Sequence, residues 1–154
     1  MELVTQSSEE TQELGRRLGE RLSGGDVLAL IGELGAGKTT FVHGLLLGLG
    51  GDPADVKSPT FVLMREYRGR TPLVHVDSYR LEGADDARWL DIDWFFSPAK
   101  VTAIEWADRI ADCLPADYLE IRFRHKTAKQ RSIALIPHGD RMARVVDELK
   151  AGAA

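Results

Sequence analysis

The chain has 154 residues, of which 44% are hydrophobic and 29% charged, and its formal net charge is −4 at pH 7. This length fits one domain, residues 1–154, around a single hydrophobic core. No apolar run approaches the roughly 20 residues of a membrane span, and the acidic balance argues against nucleic-acid binding through overall charge.

The N-terminus and the cysteine content indicate a compartment. No basic region followed by an apolar stretch opens the chain, so a secretory signal is not predicted and we expect a cytoplasmic protein. A single cysteine, Cys113, excludes an intrachain disulfide and a cysteine-rich zinc site.

The first 50 residues predict a helix, a buried strand and a second helix. Ser7 and Glu10 form a capping-box pattern, and leucines then recur every four residues until the glycine pair at 24–25. The apolar run 27–31 is typical of a strand buried on both faces of a parallel sheet. A helical pattern over 38–49 begins directly after a glycine-rich loop.

That loop, GELGAGKT at residues 32–39, matches the phosphate-binding pattern G-x-x-x-x-G-K-[ST]. Its backbone N–H groups and the N-terminus of the following helix favour an anion. We expect Lys38 to contact the β and γ phosphates, Thr39 to ligate Mg²⁺, and Thr40 to contact the α phosphate. The competing interpretation is a glycine-rich turn with an exposed lysine. The predicted nucleotide contacts of the loop are Gly35, Ala36, Gly37, Lys38, Thr39 and Thr40.

Two acidic residues follow apolar runs that read as strands. Glu105 follows 101–104, and Asp77 follows 73–76. Because ligands of open α/β sheets lie beyond the carboxyl ends of the strands, Glu105 is the preferred magnesium ligand. Asp77 is a candidate to bind metal-bound water or to orient the attacking water. In the alternative interpretation, each acid is simply the first exposed residue after a strand.

The segment from Ser58 to the strand before Asp77 predicts a β-hairpin with a turn at 69–72. The hairpin would carry Thr60 near the γ phosphate, as in a nucleotide-sensing switch loop. Alternatively, Ser58, Pro59 and Thr60 only shape a loop.

The last third of the chain predicts two alternating strands, 118–124 and 132–136, and a C-terminal helix with an apolar face over 142–149. The basic connection 125–131 either touches phosphate or RNA or is a solvated turn. The aromatic-rich segment 86–100 is either core or a partner surface. The expected fold class is α/β: a P-loop NTPase-like three-layer fold with a mostly parallel central sheet, a β-hairpin insertion and antiparallel C-terminal strands.

Four segments in this order resemble the TsaE (YjeE) family: GELGAGKTT, KSPTF at 57–61, HVDSYRL at 75–81 and IEWADR at 104–109. The resemblance implies an ATPase component of bacterial tRNA threonylcarbamoyladenosine synthesis that uses ATP and Mg²⁺. It places the magnesium on Thr39 and Glu105 and makes Asp77 necessary for activity.

The same resemblance implies further contacts and partners. Ser8, Trp106 and Arg131 would border the nucleotide. The implied partners are the TsaB and TsaD proteins, with tRNA reached indirectly through the complex. We expect slow ATP hydrolysis by the chain alone and stimulation by partners, with Arg80 and Arg109 as candidates for an arginine finger.

Two rival functions belong to other classes. A guanine-nucleotide switch would need N-K-x-D, and the sequence contains no asparagine. A P-loop small-molecule kinase is the stronger alternative, with Asp77 as base toward an acceptor hydroxyl and the basic segment 122–131 as a lid.

Overall fold

The computed structural model describes residues 1–33, 35–56, 64–78 and 96–152, except for the Arg109 side chain. The strands in chain order are β1 (Glu2–Thr5), β2 (Val27–Gly32), β3 (Met64–Tyr67), β4 (Leu73–Asp77), β5 (Val101–Glu105), β6 (Tyr118–His125) and β7 (Arg131–His138). The α-helices are α1 (Ser8–Gly19), α2 (Lys38–Gly48) and α3 (Asp140–Ala151), and 3₁₀ segments span Pro53–Asp55 and Ala107–Cys113.

The described strands form one sheet in the order β1-β7-β6-β2-β5-β4-β3. The four central strands, β6, β2, β5 and β4, are parallel to one another. Antiparallel strands flank them, with β7 and β1 on one side and β3 on the other. This arrangement confirms the expected α/β class, and β3 with β4 forms the predicted hairpin, whose first predicted residues, 58–63, lie outside the described residues.

Strand β1 was not predicted from the sequence. Its four residues pair with β7 from Glu2 opposite Ala134 to Thr5 opposite Arg131. A run this short carries too little alternation to be recognised without its partner strand, which lies more than 120 residues away in the chain.

Helices and a 3₁₀ segment cover the two faces of the sheet. The three α-helices among the described residues pack on one face over a large apolar core, and the other face carries a smaller cluster that includes Ala107 and Ile110. The result is the predicted three-layer arrangement. The larger core includes Leu14, Leu18, Leu28, Leu30, Phe41, Leu45, Ile121 and Val145.

The capping box at the start of α1 is confirmed. The Glu10 amide donates to Ser7 Oγ at 3.2 Å. The Glu10 carboxylate accepts in turn from the Gln6 amide at 2.6 Å, one residue before the expected partner. The cap fixes where α1 begins, and therefore where Ser8 lies relative to the glycine loop.

Helices α1 and α2 cross unusually closely because glycines line the contact. Gly15 and Gly19 of α1 face α2, and Gly44 and Gly48 of α2 face α1. A Cβ built on Gly44 would lie 2.8 Å from the Gln12 carbonyl carbon and closer still to its oxygen. The two backbones are therefore in direct contact, which sets the N-terminus of α1 beside the loop that starts α2.

Candidate functional site

The glycine loop between β2 and α2 depends on two left-handed residues. Gly35 has φ +76° and Gly37 has φ +102°, values that a residue with a Cβ adopts only with strain. Gly37 is also the N-cap of α2, and no side chain caps that helix or places an acid in its first turn. The first N–H groups of α2 are thus available to an anion, with the positive end of the helix dipole behind them.

Lys38 points its ammonium into the centre of the site. The side chain is buried, and Nζ donates to the Gly32 carbonyl at 2.5 Å. The same Nζ lies 3.6 Å from the centroid of the Trp106 ring, a cation–π contact. Burial lowers the pKa of Lys38, while the charges of Glu105, Asp77 and Asp108 act in the opposite direction.

The two predicted acids are neighbours across the parallel pair β4 and β5, where Asp77 lies opposite Glu105. They are only 6% and 5% exposed, so both carboxylates are withdrawn from bulk water. Side chains alternate along a strand, and both acids lie on the sheet face that carries α2. The structure therefore brings Lys38, Asp77 and Glu105 together at the carboxyl ends of the central strands.

His75 is a site residue that sequence reasoning treated only as part of a strand. Its side chain is fully buried, and Nε2 lies 2.6 Å from Glu105 Oε2. The available signal was its position two residues before Asp77, which puts both side chains on the same face of β4.

Trp106 occupies a strained turn immediately after β5. Its φ of 59° makes it the one non-glycine residue with positive φ in the described part of the chain. The Ser78 hydroxyl is placed to bond both the Glu105 carbonyl at 2.8 Å and the Trp106 carbonyl at 2.6 Å. These contacts tie the end of β4 to the turn and hold the indole against Lys38.

A cavity of about 380 Å³ opens on the other side of the glycine loop, against the N-terminus of α1. Five of the predicted contacts line it together: Ser8, Gly35, Gly37, Thr40 and Arg131. Arg131 also donates to the Gly35 carbonyl at 3.3 Å, which links β7 to the loop. The cavity is adjacent to the anion-binding end of α2 and can accept the remainder of a ligand whose phosphates lie there.

A second cavity, about 500 Å³, lies on the Trp106 side of the loop. Arg122, Arg124 and His125 line one wall, and Glu33 and Asp108 contribute opposite charges. Arg122 and Arg124 of the basic segment 122–131 thus line the second cavity, whereas Lys129 and Arg131 line the first.

Several predicted features lie outside the described residues. They are Thr60, Arg80, most of the aromatic segment 86–100, and the side chain of Arg109. None of the helices in residues 1–33, 35–56, 64–78 and 96–152 has the length and apolar character needed to cross a membrane.

The donors present suit magnesium bound together with phosphate. Within those same ranges, no three His, Cys, Asp or Glu side chains gather in a way that could hold a metal ion by themselves. Mg²⁺ is commonly held by one or two carboxylates together with substrate phosphates and water. A hydroxyl at Thr39 and the buried carboxylates of Glu105 and Asp77 fit this pattern.

A glycine loop joins a buried central strand to a helix and faces two acids on neighbouring parallel strands. This arrangement defines a nucleotide-binding protein of the P-loop NTPase-like class. The family model described as "Threonylcarbamoyl adenosine biosynthesis protein TsaE" matches residues 5–133. The chain belongs to the TsaE family.

Relatives and a solved structure agree with this assignment. The chain is 38% identical to the tRNA threonylcarbamoyladenosine biosynthesis protein TsaE of Bacillus subtilis over 94% of its own length and 90% of that protein. It is 47% identical to the Streptomyces coelicolor protein of the same name, over 72% and 76% of the two chains. The crystal structure of Bacillus subtilis YdiB superposes with a TM-score of 0.84 at 32% identity, covering 100% of this chain and 96% of that one.

Proposed function

We propose that this protein is the ATP-binding and ATP-hydrolysing accessory component of the system that makes tRNA threonylcarbamoyladenosine. The names of its relatives support the pathway. The observation that carries the enzymatic part is the convergence of Lys38, Asp77 and Glu105 at the start of α2. A buried cation beside two buried carboxylates suits the binding of phosphate and magnesium together.

Each residue has a defined task in this proposal. Lys38 exchanges its contacts with Gly32 and Trp106 for oxygens of the β and γ phosphates. Thr39 and Glu105 would hold the magnesium ion, which would supply positive charge to the phosphates. Asp77 orients the attacking water or a water on the metal.

The cavity between the glycine loop and α1 takes the nucleoside end. The amides of Gly35, Ala36 and Gly37, and the Thr40 hydroxyl, contact the phosphates nearest the ribose. Ser8 and Arg131 line the same cavity, and a planar guanidinium can stack on a base. Thr60 is proposed to sense the γ phosphate.

The proposal extends to the protein's setting. We place it in the cytoplasm as a single ATPase domain, residues 1–154, that acts with TsaB and TsaD and reaches tRNA through them. Hydrolysis by the chain alone is slow, because the charge array around the phosphates is completed only by a partner. Such completion commonly accelerates hydrolysis by several orders of magnitude. The family match favours this function over a small-molecule kinase.

The test is ATP hydrolysis by the purified chain, measured as free phosphate with and without TsaB and TsaD. We expect a low rate that rises when both partners are added and that is lost in Lys38→Ala and Glu105→Ala. Lys150→Ala, on the exposed surface of α3, is the matched control and keeps the wild-type rate. An unchanged rate with partners contradicts the assignment to the complex, and transfer of phosphate to a hydroxyl compound would instead establish a kinase.

A further inference from the structure

We infer that His75 is a positioning residue that fixes the Glu105 carboxylate in the orientation needed to bind magnesium. The inference rests on the proposed function, because it concerns the same metal site. It adds a residue that neither the phosphate loop nor the two strand-end acids would identify.

The contact between His75 and Glu105 is short and shielded from water. His75 Nε2 and Glu105 Oε2 are 2.6 Å apart, and His75 is fully buried beside a carboxylate that is only 5% exposed. Water therefore cannot readily replace this hydrogen bond. With Oε2 engaged, the orientation of the carboxylate is set and Oε1 remains for another ligand.

The two ring nitrogens of His75 differ in their surroundings. An ionised carboxylate only accepts hydrogen bonds, so Nε2 must carry the proton that it donates. The other ring nitrogen, Nδ1, is buried with no hydrogen-bond partner among the described residues. With the proton on Nε2 and none on Nδ1, no buried N–H is left unpaired, so the donor capacity of His75 is directed at Glu105 alone.

The imidazole of His75 is held on a rigid support. His75 lies in the middle of β4, which is paired on both sides, with β3 and with β5. The Tyr67 ring packs against the imidazole, with the ring centroids 6.2 Å apart. A donor held this firmly prevents Glu105 from rotating toward the nearby Lys38 ammonium, whose own hydrogen bond goes to Gly32.

The experiment measures metal binding in place of turnover. Mn²⁺ affinity is determined by electron paramagnetic resonance for the full chain saturated with ADP, and ADP affinity is measured separately in EDTA. His75→Leu removes the donor at similar volume, and His75→Gln keeps an amide donor near the position of Nε2. Loss of such an outer-shell partner costs about 10–100-fold in metal affinity.

We expect His75→Leu to lower the Mn²⁺ affinity by that factor and His75→Gln to retain most of the wild-type affinity. All variants should bind ADP normally in EDTA. His138→Leu is the matched control. His138, at the end of β7, also contacts a glutamate, Glu120 of β6, but this pair lies away from the glycine loop. In a Glu105→Gln background, His75→Leu should cause no further loss, since His75 acts through Glu105.

Four outcomes would overturn the inference. They are unchanged Mn²⁺ affinity in His75→Leu, equal weakness of the Gln and Leu variants, an equal loss of ADP affinity in EDTA, and an undiminished effect in the Glu105→Gln background. If His75→Leu does not fold, His75→Asn replaces it as the variant without a donor, because the asparagine side chain is too short for its amide to reach Glu105. If wild-type protein saturated with ADP binds no Mn²⁺, the proposed function itself is contradicted. Failure of the proposed function is thereby distinguished from failure of the inference about His75.

Discussion

The close crossing of α1 and α2 predicts that Gly44→Ala destabilises the protein and weakens nucleotide binding together. A Cβ on Gly44 would lie 2.8 Å from the Gln12 carbonyl carbon and 2.9 Å from the Arg16 amide nitrogen. Ordinary contacts begin at 3.4 Å, so the helices must separate by at least about 0.6 Å, and further to clear the Gln12 oxygen. The obstacle is backbone, which cannot turn aside as a side chain can.

The size of the effect follows from the core that the helices share. A gap of about 0.5–1 Å forfeits a quarter to a half of the dispersion energy across it. Leu14, Leu18 and Leu45 are buried at this interface. Overpacking typically costs about 1–3 kcal/mol and sometimes more, and the better helix propensity of alanine returns about 1 kcal/mol. Because the obstacle is backbone, we expect the cost to lie at the upper end of that range, about 3 kcal/mol. The net loss is then about 2 kcal/mol, or roughly 4–8 °C in the melting temperature.

Urea unfolding and thermal melts measure the stability, and titration with ATP measures the functional part. Affinity should fall because the N-terminus of α1 lines the cavity beside the loop. Gly152→Ala is the control, since the only close contact of its Cβ would be with the end of the flexible Arg21 side chain. Its stability should remain within about 0.5 kcal/mol of wild type. A Gly44→Ala protein as stable as wild type would refute the reasoning.

Two further predictions concern α1. Thr11→Val should lower the free energy of unfolding by about 1 kcal/mol, because the Thr5 and Thr11 hydroxyls form a buried hydrogen bond of 2.7 Å. In a double-mutant cycle with Thr5→Val, the two losses of stability should be less than additive. Full additivity would contradict the coupling of the two hydroxyls. The hydrogen bond from Arg16 lowers the pKa of Glu13, so Glu13→Gln should cost a little stability at neutral pH, a difference lost as the pH falls through the lowered pKa. Urea midpoints at neutral and strongly acidic pH test this, and a difference that grows on acidification would show the opposite sign.

Much of the fold was accessible from the sequence because its signals are local. The Ser7 cap, the apolar run 27–31 and the glycine pattern at 32–39 each specify structure within a few residues, and β2, α1 and α2 lie where they indicate. Helix α1 ends at Gly19, before the last leucine of its pattern. The predicted strands 118–124 and 132–136 are each longer in the structure, by one residue and by three.

The remaining features depend on contacts between distant parts of the chain. The order of the strands and the pairing of β1 with β7 are not encoded within either segment alone. Likewise, His75 reaches Glu105 across 30 residues, and Lys38 reaches the Trp106 ring only because β2 and β5 are adjacent. Sequence spacing named both acids, but only the register of β4 on β5 sets them side by side.

The turn that follows β5 links the ends of β4 and β5 directly to each other. Ser78, one residue past Asp77, holds the carbonyls on either side of the bend at Glu105 and Trp106. A shift of either strand end would therefore pull on the other through the main chain. Displacement of Ser78 would loosen the turn at Trp106, whose indole lies against the Lys38 ammonium, so main-chain contacts couple the end of β4 to the glycine loop.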